Sequence, residues 1–393
     1  MIKSVHFKHT QKVHKSSHPF GLENAKVVCA YHQSFPEYTQ TPLVQLHDLA
    51  KKLNVSQIYV KDESFRFNLN AFKVLGGSYA IGKYIKEKLN LSDEQFNCET
   101  ILSDELRHQL GDLTFITATD GNHGRGVAWT ANRLKQKSVV YMPKGSAQER
   151  LDNIKALGAD ASITEFNYDD AVRLANKHAQ ENNWVMVQDT AWEGYEEIPT
   201  WIMQGYTTMA YEIVQQLHQV KPTHLFLQAV VGALDGAVTG FFSDYYQEDR
   251  PIITIVEPDK ADCIYQTALA NDGSIHTVTG DLNTIMAGLA CGEPCTIGWN
   301  VLKDHADHFI SMSDDIAAQG MRTLGIPTGN DPKIISGESG AATIGFIYEV
   351  LSNPQHQKLK ETLRLNESSV IVCISTEGDT DKENYQRILK ERL

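Results

Sequence analysis

Lys73 is the residue whose placement asks most of chemistry. It follows Lys61-Asp62-Glu63-Ser64 in the segment Asn70-Ala71-Phe72-Lys73-Val74-Leu75-Gly76-Gly77, where a strand end leads by a loop into helical spacing. A cation at the positive end of a helix macrodipole is disfavoured by about 0.3–1 kcal/mol, so solvation at the surface explains the position poorly. In a partly dry site a lysine loses basicity and its amine attacks carbonyl carbon, which is how Schiff bases form. Taken alone, an exposed structural lysine is still the simpler explanation.

Three further segments share the same strand, loop, helix arrangement. Thr119-Asp120-Gly121-Asn122-His123-Gly124 follows an apolar run, and its glycines let backbone approach a ligand while Asn122 offers an amide to a ring hydroxyl. His123 reads as a helix-start residue bonded to backbone. Val231-Gly232-Ala233-Leu234-Asp235-Gly236-Ala237-Val238 presents backbone N–H groups at a helix start. It lacks the Gly-Lys-Ser/Thr of a P-loop and the spacing of a dinucleotide fingerprint, so it suits one phosphate better than a nucleotide. Cys373-Ile374-Ser375-Thr376-Glu377-Gly378-Asp379-Thr380-Asp381 closes the last apolar run with hydroxyls able to reach a heteroaromatic nitrogen. Each segment alone also fits helix capping or packing.

The elements that must position these segments are those of an α/β protein. Apolar runs rich in β-branched residues at 57–60, 114–118, 138–142, 184–188, 224–228, 252–256 and 369–374 predict strands. Helical spacing at 74–89, 123–135, 147–157, 195–216, 237–246 and 341–351 predicts the covering helices. In open α/β sheets ligands bind beyond the carboxyl ends of strands, where all four segments fall. Residues 89–113 are polar and irregular and predict a surface insertion.

Composition narrows the partners. The 393 residues are 41% hydrophobic with a formal charge of −13, which repels nucleic-acid backbone and anionic bilayers alike. The opening residues 1–20 are polar and rich in His and Lys, without an apolar leader core, and a cytoplasmic protein is expected. Six cysteines spread over the chain read as free thiols. A disulfide from Cys263 to Cys291 or Cys295 is left open, and the Cys291-Cys295 spacing has no second pair to complete a metal site, so no metal is expected.

Taken together and in this order, the four segments resemble the fold-type II family of pyridoxal phosphate enzymes, which includes threonine and serine dehydratases, cysteine synthases and the tryptophan synthase β chain. Its Schiff-base Ser-Phe-Lys is matched by Ala71-Phe72-Lys73, and its Ser-Gly-Asn-His, which reads the cofactor hydroxyl and the substrate carboxylate, by Asp120-Gly121-Asn122-His123. Its phosphate loop is matched by Val231, Gly232, Ala233, Leu234 and Gly236, and its serine at the pyridine nitrogen by Ser375 with Thr376 adjacent. Val256-Glu257-Pro258 and Glu338-Ser339-Gly340-Ala341 are further family-like segments, and the likeness runs from about residue 40 to the end. The resemblance implies bound pyridoxal 5′-phosphate and two three-layer α/β domains with the cofactor in the cleft between them. The large domain is expected at 1–77 and 189–393, the smaller inserted one at 78–188, and the assembly as a homodimer.

Asp120 departs from the dehydratase pattern, which has serine there, and a carboxylate calls for a cation such as a β-ammonium group. With Gln188-Asp189-Thr190-Ala191-Trp192-Glu193-Gly194-Tyr195 and Thr284-Ile285-Met286-Ala287-Gly288-Leu289, the segment is similar to diaminopropionate ammonia-lyases. That likeness implies conversion of D- or L-2,3-diaminopropionate and water to pyruvate and two ammonia, through an external aldimine and aminoacrylate. Lys73, Asp120 and Asp189 are then the catalytic residues, with Asp189 taking the Cα proton of the L substrate and Asp120 that of the D substrate. A hydroxyl at the pyridine nitrogen would leave it unprotonated, a milder electron sink that favours elimination. The alternatives are a threonine or serine dehydratase of the same fold, and a non-catalytic amino-acid sensor.

Overall fold

The computed structural model describes residues 1–7 and 19–391; stretch 8–18 of the His- and Lys-rich opening lies outside the described residues. Its strands are β1 (Ile2–His6), β2 (Leu43–Gln45), β3 (Gln57–Asp62), β4 (Thr114–Ala118), β5 (Lys137–Met142), β6 (Asp160–Ile163), β7 (Val185–Met186), β8 (His224–Gln228), β9 (Ile252–Pro258), β10 (His308–Met312) and β11 (Val370–Ser375). They form a seven-stranded sheet in the order β1-β10-β9-β8-β11-β3-β2 and a four-stranded sheet in the order β6-β5-β4-β7. The second sheet is parallel throughout, while β1 and β2 run antiparallel at the two edges of the first. A parallel sheet is stable only with both faces covered, and every residue of β8 and of β10 is buried. Fully burying each large apolar side chain, such as Phe226 on β8 or Phe309 on β10, contributes about 1.5–3 kcal/mol.

Strand order is what assembles the site. β8, β11 and β3 are neighbours and parallel, with Cys373 opposite Phe226 and Ser375 opposite Asp62. Their carboxyl ends therefore lie side by side and deliver the segments of Gly232, Ser375 and Lys73 to one edge. The fourth segment, at Asp120, leaves the end of β4 in the other sheet. Helix Val74–Leu89 joins the two halves, packing on Glu197–Leu217 of one and Asn122–Arg133 of the other.

The structure departs from the sequence reading in several places. Strands β1, β2, β6 and β10 were not expected, and the run at 184–188 pairs only over Val185–Met186. Residues 89–113, expected as an irregular surface insertion, lie mostly at the surface but are more regular than expected: they fold helices Cys98–Ile101 and Asp104–Leu110, capped by the Asn97 and Ser103 side chains, and bury Phe96, Ile101 and Leu106. The helix expected from 237 begins at Ala233, because Gly232 takes φ +101 and turns the chain directly into its first turn. All six cysteines are free and buried. No helix among the described residues is long and apolar enough to cross a membrane.

Candidate active site

Lys73 precedes the first turn of its helix and is held from behind by β11. Phe72 N–H donates to the Thr376 carbonyl at 3.1 Å, Gly378 N–H donates to the Asn70 carbonyl at 3.0 Å, and Ala71 pairs with Glu377. The Lys73 segment and the Ser375-Thr376-Glu377 segment are thus one built unit. Lys73 Nζ donates to Asp189 Oδ2 at 2.7 Å, with both side chains buried. Asp189 does not cap the following turn; its Oδ1 accepts from the Tyr168 hydroxyl at 3.1 Å and from Gln188 Nε2 at 3.2 Å.

The electrostatics correct one expectation. Burial pushes the Lys73 ammonium toward losing its proton, as the sequence reading supposed, but Asp189 and Asp120 outweigh burial and hold it protonated. For Asp189 burial likewise opposes ionisation, and Lys73 and His123 hold the carboxyl well below the usual range. Asp120 shows the opposite balance: burial raises it more than Lys73 and Arg150 lower it. Its Oδ2 lies 3.5 Å from Arg150 Nη1, and its side chain keeps 12% exposure at a cleft of about 250 Å³ that Arg150, Tyr168 and Glu338 also line. His123 donates its Nε2–H to the Val187 carbonyl at 2.7 Å, a backbone bond as anticipated.

The remaining sequence-predicted residues converge, with adjustments. Asn122 Nδ2 donates to Glu377 Oε2 at 2.6 Å. Ser375 donates its hydroxyl to Ser336 Oγ at 2.7 Å, whereas Thr376 Oγ1 accepts from Gln228 Nε2 at 3.0 Å and keeps its own hydrogen to give. Gly236 N–H is already used, donating to the Gly232 carbonyl at 2.9 Å, so the N–H groups offered at the start of this helix are those of the residues before it, Ala233 and Leu234 among them. Val231 ties the loop to its neighbour by accepting from Cys295 N–H at 2.6 Å.

These residues fit pyridoxal phosphate. A Cβ on Gly232 would be strained at φ +101 and would meet Ile264 at 3.4 Å, so bare backbone faces the helix start, where N–H groups and dipole favour phosphate. Tyr206 Oη and His123 Nδ1, in the electrostatic reach of Lys73, are buried without a hydrogen-bond partner among the described residues. A buried amine, a nearby amide and unspent polar atoms within its electrostatic reach form a donor set for a polar aromatic aldehyde. Arg150, Tyr168, Tyr206 and Glu377 were missed as site residues. The rule that ligands lie beyond strand carboxyl ends points to Arg150, which follows β5, and Tyr168, which follows β6.

The pattern of the family described as "Pyridoxal-phosphate dependent enzyme" matches residues 35–377. The chain is 53% identical to the diaminopropionate ammonia-lyase of Escherichia coli strain K12 over 375 residues, which is 95% of this chain and 92% of the relative. It is 51% identical to the Salmonella typhimurium diaminopropionate ammonia-lyase, over 92% of this chain and 91% of that one. Among solved structures, the holo Escherichia coli diaminopropionate ammonia lyase superposes with a TM-score of 0.93 at 50% identity, covering 99% of this chain and 97% of that one. The same protein in complex with an aminoacrylate-PLP azomethine reaction intermediate gives 0.90 at 49% identity, with the same coverage. A threonine deaminase from Solanum lycopersicum, at 19% identity and a TM-score of 0.68, over 93% of this chain and 87% of that one, shares the fold. This chain, with two parallel-cored sheets meeting at a buried lysine, therefore belongs to the diaminopropionate ammonia-lyases, a branch of the fold-type II pyridoxal-phosphate dependent enzymes.

Proposed function

We propose that this chain is a carbon–nitrogen lyase that converts D- and L-2,3-diaminopropionate and water to pyruvate and two molecules of ammonia. The observation that carries the reading is a pair of carboxylates, Asp189 and Asp120, around one buried lysine: Asp189 in contact with it and Asp120 on the cleft side beside Arg150. A β-ammonium leaving group is a cation that such a pair accommodates, where a neutral hydroxyl would leave a carboxylate without a partner.

When bound, pyridoxal phosphate supplies the carbonyl for the ε-amine and a conjugated ring that accepts the electron pair left at Cα. Lys73 would hold its aldehyde carbon and Asn122 its ring hydroxyl. The Gly232, Ala233 and Leu234 backbone would hold its phosphate, with Val231 and Gly236 shaping that turn, and Ser375 or Thr376 would meet its ring nitrogen. Asp189 Oδ2, at 2.7 Å from Lys73 Nζ, orients the ammonium and offsets its charge. Tyr168 and Gln188 fix that carboxylate from its other oxygen. In the two-base reading, Asp189 removes the Cα proton of the L substrate and Asp120 that of the D substrate. The inserted unit, with bounds near 78 and 188, covers the cleft and excludes water. The same reading places the protein in the cytoplasm as a homodimer, supported by free buried thiols and by family resemblance.

The test is a side-by-side assay of pyruvate and ammonia release from D- and L-diaminopropionate, serine and threonine. The reading predicts two ammonia per pyruvate and a preference for the diamino acids; faster turnover of serine or threonine would replace it with a dehydratase. Asp120→Asn should cost about 10²–10⁴-fold on the D substrate and Asp189→Asn the same on the L substrate. Equal losses on both enantiomers in either variant would remove the two-base assignment.

A further inference from the structure

Arg150 sits in helix Gln148–Lys155 on the four-stranded-sheet side, and its aliphatic stem lies against Gly121. A Cβ on Gly121, at φ +148, would come within 3.1 Å of Arg150 Cδ, so glycine there allows the loop to lie down on the arginine. The guanidinium then spans two sheets. Nη1 is 3.5 Å from Asp120 Oδ2, and Nη2 donates to Thr380 Oγ1 at 3.2 Å, in the loop beyond β11. Thr380 donates in turn to Glu377 Oε2 at 3.3 Å, the same oxygen that accepts from Asn122 Nδ2 at 2.6 Å. The path from Asp120 through Arg150, Thr380 and Glu377 back to Asn122 is a ring that starts and ends in one loop and crosses to the other sheet between. Arg150 Nε is buried with no hydrogen-bond partner among the described residues. A cation kept dry and only partly satisfied is costly, so a role beyond local stability is called for.

We infer that Arg150 is the positioning residue for Asp120, aiming its carboxylate into the cleft by tying the Asp120-Gly121-Asn122 turn to the loop beyond β11. The inference rests on the reading that Asp120 acts on the D substrate. Around Asp120 stand Lys73, Asp189, Glu377, His123, Tyr168, Tyr206 and Cys291; around Arg150 stand Glu377, Glu338 and Asp381 as well. Two cations offset Asp120, Lys73 more strongly and Arg150 second; Lys73 is in hydrogen-bond contact with Asp189, whereas Arg150 is the cation whose guanidinium lies against the Asp120 carboxylate itself. Burial raises the Asp120 carboxyl, and Lys73 and then Arg150 lower it, so removing Arg150 takes away one of two opposing cations and keeps Asp120 protonated to higher pH.

The experiment is kcat/KM against pH on both diaminopropionate enantiomers for the wild-type holoenzyme, Arg150→Met, Arg150→Lys and the charge-preserving Thr380→Val, with amide hydrogen exchange of residues 120–124 alongside. For Arg150→Met the acid limb on the D substrate should move up by about one pH unit or more while the L limb stays, and exchange of the loop should rise severalfold. Arg150→Lys should bring the D limb back toward wild type, and Thr380→Val should lower D turnover with its limb unmoved. D and L limbs that shift together in Arg150→Met overturn the inference, and so does a D-to-L ratio unchanged in Thr380→Val, even if Arg150→Met fails to fold. Loss on both enantiomers in Asp120→Asn would instead defeat the Asp120 reading, whatever the Arg150 variants do.

Discussion

Two buried ionic clusters in this molecule are built on opposite terms. In the first, Arg66 donates from Nε and both terminal nitrogens to Glu63 and Glu212, and Lys61 joins Glu212, the Thr41 carbonyl and Gln216. Two cations meet two anions, every donor nitrogen has a partner, and the cluster is fully enclosed between β3 and helix Glu197–Leu217. In the second, Lys73, Arg150, Asp120, Asp189, Glu338 and Glu377 form one electrostatic cluster with more carboxyls than cations, and Asp120, Arg150 and Glu338 line a cleft at its edge. His123 Nδ1, Arg150 Nε and Tyr206 Oη are left there without hydrogen-bond partners among the described residues. A closed network holds the chain; an open one has polar capacity to spend on a ligand. Buried charge alone does not mark a functional site; unspent hydrogen-bonding groups beside it do.

The contrast can be broken at several points. Lys73→Ala should take turnover to background and abolish the visible absorbance that pyridoxal phosphate gives with the wild type, while the secondary structure stays. Arg66→Met should do the reverse, destabilising the fold by about 3–5 kcal/mol, because Glu63 and Glu212 are left buried and uncompensated. Urea midpoints should fall accordingly while kcat per folded molecule stays near wild type.

Acid should reach the closed cluster late. Burial raises Glu212, but Arg66 and Lys61 outweigh it and hold the carboxyl down at about 2, from a usual 4.5. A depressed carboxyl contributes stability that is complete above its unfolded value and lost as pH falls through its folded one. Unfolding free energy should therefore drop between about 4.5 and about 2, and Lys61→Met should flatten that drop. The smallest effect is expected at Tyr206→Phe. Deleting a hydroxyl that has no partner should change stability by no more than about 1 kcal/mol, while cofactor affinity, read by equilibrium dialysis, falls.

The four candidate site segments were legible because each is contiguous and stands at the carboxyl end of an apolar run. Sheet order does the rest by making β3, β8 and β11 neighbours. What the sequence concealed came from helices. Arg150 and Tyr206 lie inside ordinary amphipathic spacing, where nothing distinguishes an inward polar side chain from a solvated one, and the helix carrying Tyr168 was not foreseen. Ala233-Leu234-Asp235-Gly236 looks like loop because Asp and Gly are turn formers. Yet an acidic residue in the first turn suits a helix start, and the left-handed Gly232 lets the helix begin four residues early. The short strand β7 was overestimated because its apolar run continues past the two residues that pair. The sign of the Lys73 shift was misjudged because pairing across 116 residues of sequence, from Lys73 to Asp189, leaves no local pattern.

The central claim is that Lys73 carries the cofactor. Borohydride reduction of the pyridoxal-phosphate-loaded protein, followed by peptide mapping, tests it directly. The account predicts a stable phosphopyridoxyl group on the peptide containing Ala71-Phe72-Lys73; label on a different lysine, or a protein that takes up no label, would contradict it.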